Sequence, residues 1–157
     1  MTDLKRTITE IPPARRASAL YQPWVISGTQ LFVSGQVSDH PMVSVRGIVG
    51  EDLSTEQGVM AARLCGLNLI AQITDAVAGD LSLVKKILRV TGYVRCAREF
   101  TDIPKIVNGC SEALIEVLGP EVGGHARTSV GVFALPRLFA VECDAIVELN
   151  GIVDRTR

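Results

Sequence analysis

One arginine near the C-terminus, Arg127, is a candidate binding residue because the predicted strand around it carries no other charge. The run from Ala126 to Val132 reads Ala-Arg-Thr-Ser-Val-Gly-Val, and Arg127 is the charged residue within it. A guanidinium removed from water is costly unless an anion meets it, and its planar fork suits a carboxylate held through two hydrogen bonds. We therefore interpret Arg127 as the anchor for a small carboxylate ligand. The alternative is an arginine paired with an acidic residue of a neighbouring subunit.

A carboxyl group, Glu142, follows in the next predicted strand, within the sequence Val-Glu-Cys-Asp-Ala-Ile. A carboxyl close to an apolar sheet face is expected to have a raised pKa, which suits acid–base chemistry. If the last two strands form a tight hairpin, Arg127 pairs near Ile146, and Glu142 lies roughly 13 Å further along the strand. That spacing disfavours a salt bridge within one chain and leaves room for a ligand or a water. Alternatively, Glu142 is a strand-edge surface residue or the partner of a neighbouring subunit's arginine.

The composition limits the classes of protein and partner. A length of 157 residues with 47% hydrophobic residues predicts one domain, 1–157, with residues 1–20 as a polar N-terminal arm. The net charge of −1 and the scattered basic residues disfavour nucleic acid and membrane surfaces as partners. No signal-peptide or membrane-span pattern is present, so we expect a cytoplasmic protein. The four cysteines are far apart, which predicts buried thiols and no metal site.

Alternating strand and helix patterns would position these residues. The patterns predict strands at 24–26, 31–37, 87–96, 127–134 and 139–149, a loop with a small strand at 39–50, and helices at 54–78 and 102–118. The first helix has a Ser cap at Ser54, followed three residues later by Gln57. This order predicts an α+β fold, a two-layer sandwich with both helices on one face of a mixed sheet.

The last two strands also indicate what lies on the other face of the sheet. Each strand has one apolar side and one side that mixes polar and apolar residues. A mixed side is not typical of a sheet face that is open to water. Because the chain offers no third layer, we expect another subunit to cover that face.

The chain resembles the RidA/YjgF family of small trimeric proteins from Tyr21 to Leu149. Six pieces carry the resemblance: Tyr21, Ser34-Gly35-Gln36, Asn108, Ala126-Arg127-Thr128, Leu135-Pro136, and Val141-Glu142-x-Asp144-Ala145-Ile146. The last three pieces at this spacing near the C-terminus are specific. The resemblance implies a chorismate-mutase-like fold and a homotrimer with ligand clefts between subunits.

The same resemblance implies an activity without metal or organic cofactor. Family members hydrolyse reactive enamines and imines, such as 2-aminoacrylate and 2-iminopropionate, to 2-keto acids and ammonia. Carried onto this chain, Arg127 would hold the substrate carboxylate, and Glu142 would position or activate water and assist proton transfer. Tyr21 would line the cleft, Asn108 would contribute from its rim, and Gly35 would allow close backbone approach. Packing for Tyr21 and helix-end hydrogen bonds for Asn108 are the alternatives.

Several departures indicate a divergent, longer branch of the family. Ser129 stands where many members carry a cysteine, and we count it among the substrate-binding residues. Gly123-Gly124-His125 replaces the usual proline-containing approach to the arginine, which makes His125 a candidate ligand contact. The segments 39–54 and 97–104 are longer than in short members.

Three hypotheses of function follow. The first is a homotrimeric imine deaminase that acts on a 2-imino acid. The second is a non-enzymatic trimer that binds a small carboxylate, such as a 2-keto acid, as a sensor. The third is a ribonuclease, which the absence of basic patches and of a paired general-base histidine disfavours.

Overall fold

This computed structural model describes residues 8–153, which contain seven strands and two long helices with their connecting loops. Residues 1–7 of the predicted arm lie outside that range. The elements are β1 Trp24–Ser27, β2 Gln30–Val37, β3 Asp39–His40, β4 Val43–Ser44, α1 Thr55–Ala76, β5 Val84–Arg95, α2 Ile103–Gly123, β6 Ala126–Val132 and β7 Val141–Leu149. Short 3-10 turns precede β5 and β7, at Leu81–Leu83 and Pro136–Leu138. The predicted order of elements is confirmed.

The main sheet has the strand order β1-β2-β7-β5-β6, and β3 pairs with β4 in a separate small hairpin. Only β5 and β6 run parallel within the main sheet. Both helices pack on one face of this sheet. The prediction of an α+β two-layer sandwich with a mixed sheet is therefore confirmed.

The last two strands do not form the tight hairpin considered above, because β5 lies between them. Val90 of β5 pairs with Arg127 on one side and with Ala145 on the other. The unit β5-α2-β6 is a crossover connection, and such a connection returns the chain parallel to the strand it left. The segment between β6 and β7 then crosses over the end of β5.

The two helices begin and end for recognisable local reasons. Ser54 caps α1, its side chain accepts from the Gln57 backbone N–H, and the Gln57 side chain accepts from the Ser54 N–H at 2.8 Å. Such a capping box stabilises a helix by about 1 kcal/mol. Helix α2 is interrupted at Gly119, whose φ is +81°, immediately before Pro120. The predicted end at 118 is thus a break, after which the chain makes one more turn.

The core lies between the helices and one face of the sheet. Alternate residues of β7, including Cys143 and Ala145, are buried there. Close approach of the helices depends on Gly109 of α2, where a Cβ would collide with the backbone of α1 near Val59. Neither helix is long and apolar enough to span a membrane.

The opposite face of the sheet carries exposed apolar side chains. Val25, Phe32 and Val130 retain 50%, 40% and 38% of their surface. These three residues occupy β1, β2 and β6 towards the two edges of the sheet, and β7 between them carries Glu142, Asp144 and Glu148 on the same face. We call this surface the open face.

Candidate functional site: two clusters in one chain

The Arg127 side chain lies on the helix side of edge strand β6 and contacts α2. Its Nη1 donates to Asn108 Oδ1 at 2.9 Å and to Ser111 Oγ at 3.0 Å, and its Nη2 donates to the Pro104 carbonyl at 3.1 Å. All three acceptors are neutral, so within residues 8–153 they hold the guanidinium without cancelling its charge. Three of its five N–H donors are engaged. The other two are available for an anion.

A serine and a histidine extend this cluster. Ser111 Oγ lies 2.9 Å from His125 Nε2, and His125 Nδ1 lies 2.6 Å from the Gly123 carbonyl. The carbonyl can only accept, so Nδ1 carries a proton, and a neutral Nε2 accepts the serine hydroxyl. Burial lowers the pKa of His125, the Gly123 hydrogen bond opposes this, and the Arg127 charge lowers the pKa further. A neutral His125 imidazole therefore satisfies the series of hydrogen bonds that links Arg127, Ser111, His125 and Gly123.

The second cluster surrounds a cavity of about 150 Å³ beside β2 and β7, lined by Tyr21, Gly35 and Glu142 among others. Gly35 is required there because a Cβ at this position would overlap the Glu142 carboxyl group. The family resemblance implied close backbone approach at Gly35, and in the structure Gly35 lines the cavity with the Glu142 carboxyl directly against it. Tyr21 is about half exposed at the cavity mouth.

The Glu142 carboxyl has the electrostatics expected of an acid–base group. Burial raises its pKa, and the nearby Asp144 carboxylate raises it further. Asp144 itself accepts a hydrogen bond from the Tyr93 hydroxyl at 2.9 Å, which ties β7 to β5. Asp144 therefore has a structural contact, whereas the oxygens of Glu142 are directed at the cavity and Gly35.

The predicted site residues fall into two clusters that one chain does not bring together. Arg127, Asn108, His125 and Ser129 lie at the β6 edge on the helix side, where Ser129 pairs in register with Gly92. The remaining three, Tyr21, Gly35 and Glu142, line the cavity. We call the two groups the Arg127 cluster and the Glu142 cavity.

Sequence reasoning missed two contributors. Ser111 lies three residues after Asn108 and hence on the same helix face, a spacing from which its contact with Arg127 could have been predicted. Gln72 is buried in α1 and lines the Glu142 cavity, and its Oε1 has no hydrogen-bond partner among the described residues. No local sequence signal marks Gln72, because its place depends on the packing of α1 against the arm.

Neither cluster is built like a metal centre. Over residues 8–153, no group of three or more His, Cys, Asp or Glu side chains is arranged to hold a metal ion. The thiols of Cys65, Cys110 and Cys143 are buried in the core, and burial contributes to raising the pKa of each. Buried thiols with a raised pKa are weak nucleophiles, so these cysteines belong to the core.

Comparison with known proteins identifies relatives over nearly the whole chain. A family model described as "YjgF/chorismate mutase-like, putative endoribonuclease" matches residues 3–143. Protein TCP17 of Trypanosoma cruzi is 39% identical over 149 residues, which cover 94% of this chain and 92% of that protein.

Two crystal structures share the fold closely. Atu1372 from Agrobacterium tumefaciens, of unknown function, is 39% identical with a TM-score of 0.85, covering 95% of this chain and 91% of that one. A "putative endoribonuclease" from Shewanella oneidensis MR-1 is 32% identical with a TM-score of 0.85, covering 94% and 97%.

Proposed function

Because this chain belongs to the YjgF/chorismate mutase-like family, we propose that it is a homotrimeric hydrolase of small 2-imino acids. In this proposal it converts an enamine or imine of the 2-aminoacrylate and 2-iminopropionate type to a 2-keto acid and ammonia. One observation carries the proposal: the Arg127 guanidinium is held by three neutral acceptors and has donors left for a carboxylate. No metal or organic cofactor takes part in this scheme.

The proposed chemistry needs little beyond positioning and proton transfer. Arg127 holds the substrate carboxylate, with Asn108 and Ser111 fixing the plane of its guanidinium. Ser129 and His125 line the same side of the bound acid. Fixing the carboxylate presents the electrophilic imine carbon to water in a defined orientation.

Glu142 is the proposed acid–base group. Burial and the Asp144 carboxylate raise its pKa, which favours the protonated form that can donate a proton to the imine nitrogen. Water adds to the imine carbon as the nitrogen gains a proton. In the adduct that results, the C–N single bond then breaks, and the nitrogen leaves as ammonia. Glu142 transfers the proton between the attacking water and the departing nitrogen, so the carboxyl group is regenerated and no redox step occurs. Tyr21 closes the mouth of the cavity around the substrate.

The trimer is part of the proposal, because a complete site needs two copies of the chain. The Arg127 cluster lies at the β6 edge, whereas the Glu142 cavity lies beside β2 and β7, with β5 between. The exposed apolar side chains of the open face offer the surface for a neighbouring copy. Cyclic association would place the β6 edge of one copy against the Glu142 cavity of the next.

A sensor remains the second candidate, favoured by the same Arg127 observation. An anchored guanidinium binds a 2-keto acid whether or not Glu142 performs chemistry. The neutral, hydrogen-bonded His125 and the net charge of −1 do not favour RNA cleavage.

One assay separates these candidates. We would generate 2-iminopropionate in situ and compare its decay with the wild type, Arg127→Ala and the control Arg98→Ala, whose side chain is 96% exposed. Faster decay that is lost in Arg127→Ala and kept in Arg98→Ala supports the hydrolase. Saturable binding of pyruvate without faster decay supports the sensor and overturns the hydrolase. Cleavage of RNA by the purified wild type, absent in Arg127→Ala, would favour the ribonuclease.

A further inference from the structure

We propose that the natural substrate is a 2-imino dicarboxylic acid, whose second carboxylate is bound by Arg16 and Arg137 at the Glu142 cavity. This inference rests on the proposed function and names its substrate class. Both arginines line the cavity that also holds Tyr21 and Glu142. Neither was singled out as a candidate in the sequence.

Arg16 is brought to the cavity by a firmly held arm. The buried Gln72 side chain donates to the backbone carbonyl of Arg15 at 2.8 Å. The Arg15 guanidinium forms an ion pair with Asp39, which also accepts from the Ser44 hydroxyl. Arg15 is thereby neutralised by a protein carboxylate, and the next residue, Arg16, is presented at the cavity with its charge uncompensated.

Arg137 is brought to the cavity by a strained turn. Arg137 and Leu138 have φ values of +50° and +62°, a conformation that costs a side-chain-bearing residue on the order of 1–3 kcal/mol. Surrounding contacts maintain it: Gly47 N–H donates to the Leu138 carbonyl at 3.1 Å, and the Arg46 guanidinium lies 4.6 Å from the centre of the Phe139 ring. Strain of this kind is frequent at ligand-binding sites.

The charge balance of the cavity favours an anion. Its charged lining consists of three arginines, Asp39 and Glu142. The ion pair between Arg15 and Asp39 cancels one charge of each sign. Glu142 contributes at most one negative charge against the two remaining arginines, and its pKa is raised by burial and by Asp144. Arg16 and Arg137 have no side-chain hydrogen bond or ion pair with any residue in 8–153, so their two positive charges dominate.

The cavity is also polar at its base and small. Gln72 is 1% exposed, and its Oε1 has no hydrogen-bond donor within the described chain, so it offers an acceptor to a bound molecule. A volume of about 150 Å³ corresponds to about five waters. That space admits the distal carboxylate of a four- or five-carbon acid together with a water.

The test compares a monoacid with a diacid. Imines are generated in situ from alanine and glutamate, giving 2-iminopropionate and 2-iminoglutarate, and kcat/KM is measured for each. We expect the wild type to prefer the diacid by about tenfold or more, the effect of one or two charge-assisted hydrogen bonds. In the double variant Arg16→Gln/Arg137→Gln, the ratio of diacid to monoacid should fall at least tenfold. The matched control Arg98→Gln, a single surface arginine, should keep the wild-type ratio.

A binding measurement keeps this inference separate from the proposed function. Calorimetry with 2-oxoglutarate and pyruvate reports the second carboxylate independently of catalysis. If the protein hydrolyses 2-iminopropionate but neither prefers the diacid nor binds 2-oxoglutarate more tightly than pyruvate, the inference is overturned and the hydrolase stands. If neither imine decays faster but 2-oxoglutarate binds more tightly in an Arg16- and Arg137-dependent way, the hydrolase is wrong and the dicarboxylate site is supported.

Discussion

Arg127 and Glu142 project from opposite faces of one sheet. Arg127 pairs in register with Val90, a core residue, whereas Glu142 alternates with the core residues Val141 and Cys143. Along β7, the position level with Arg127 is three residues from Glu142, about 10 Å, and two strand spacings add about 10 Å across the sheet. A ligand of a few carbon atoms cannot contact both groups in one chain. A shared site therefore requires the β6 edge of one copy and the cavity of another.

Mixing two inactive variants should restore activity. Arg127→Ala keeps the Glu142 cavity, and Glu142→Gln keeps the Arg127 cluster. When the two are unfolded, mixed in equal amounts and refolded together, about one site in four receives both intact halves. We expect imine hydrolysis to recover to about a quarter of the wild-type rate, measured with 2-iminopropionate.

The control for this experiment is each variant refolded alone, which should remain inactive. A mixture that is no more active than its components, although sedimentation shows mixed trimers, would contradict a site shared between copies. A wild type that sediments as a monomer yet hydrolyses the imine would contradict it equally.

Glu142→Gln should stabilise the protein at alkaline pH. The pKa of Glu142 is raised by burial and by Asp144, so the unfolded chain loses this proton before the folded chain does as the pH rises. Ionisation of Glu142 therefore costs stability above its folded pKa, and the neutral amide avoids that cost. We expect a higher Tm than wild type at pH 8, with the difference shrinking towards pH 4.5, as measured by thermal denaturation.

Glu148→Gln is the matched control for this measurement. Glu148 lies on the same strand and the same face, but it forms a 3.1 Å ion pair with Lys85. Its replacement should give no gain in Tm at pH 8. Equal gains in both variants would mean that general charge reduction, and not the surroundings of Glu142, causes the effect.

Gly35→Ala should lower the activity without a large change in stability. In Gly35→Ala the new Cβ overlaps the Glu142 carboxyl, the far end of a flexible side chain that can rotate away. We expect at least a tenfold loss of imine hydrolysis with a Tm within a few degrees of wild type. In the control Gly92→Ala, the Cβ lies 2.6 Å from the Cγ atoms of Val107 in the core. Overpacking there costs about 1–3 kcal/mol, which lowers Tm clearly. The reverse pattern would contradict the placement of Glu142.

The sequence was sufficient for the parts of the fold that local patterns determine. The Ser54 cap, the break at Gly119 and the order of elements all follow from neighbouring residues, and family resemblance supplied the fold class. Strand pairing across the chain is a non-local property. Reading the last strands as adjacent in space because they are adjacent in sequence placed Arg127 beside β7, whereas the crossover through α2 inserts β5 between them.

The site residues likewise divide into those that local sequence patterns could predict and those that depend on the packing of distant segments. Side chains borne on patterned strands, such as Arg127 and Glu142, could be selected from the sequence with a stated chemistry. Partners that depend on how distant segments pack could not. Arg137 reaches the cavity through a left-handed turn, and no residue type at that position signals such a conformation. The split into two clusters likewise emerges only once the strand register is known.

The titration of His125 should report the charge of Arg127 directly. Burial is the largest cause that lowers the pKa of His125, and the cation of Arg127 lowers it further, against the Gly123 hydrogen bond. Replacing Arg127 by the similarly long but uncharged Met removes the charge and the hydrogen bond to Ser111, and leaves a side chain of similar size in place. We expect the pKa of His125 to rise in Arg127→Met while staying below its ordinary value, because burial persists. Nitrogen-detected NMR of the imidazole measures it, with His40→Gln used to assign the second histidine.

The lowered pKa of His125 also affects how the stability of the protein changes at acidic pH. A depressed pKa means that the unfolded chain takes up this proton first as the pH falls below about 6.5. Stability contributed by neutral His125 is therefore complete above that pH and is lost as the pH falls through the folded pKa; the loss should be smaller in Arg127→Met. Arg89→Met is the control. The Arg89 guanidinium on β5 donates a hydrogen bond to Thr128 Oγ1 at 3.1 Å, and Arg89 is not among the groups that shift the pKa of His125. An equal rise in both variants, or none in Arg127→Met, would mean that the charge of Arg127 does not lower the pKa of His125.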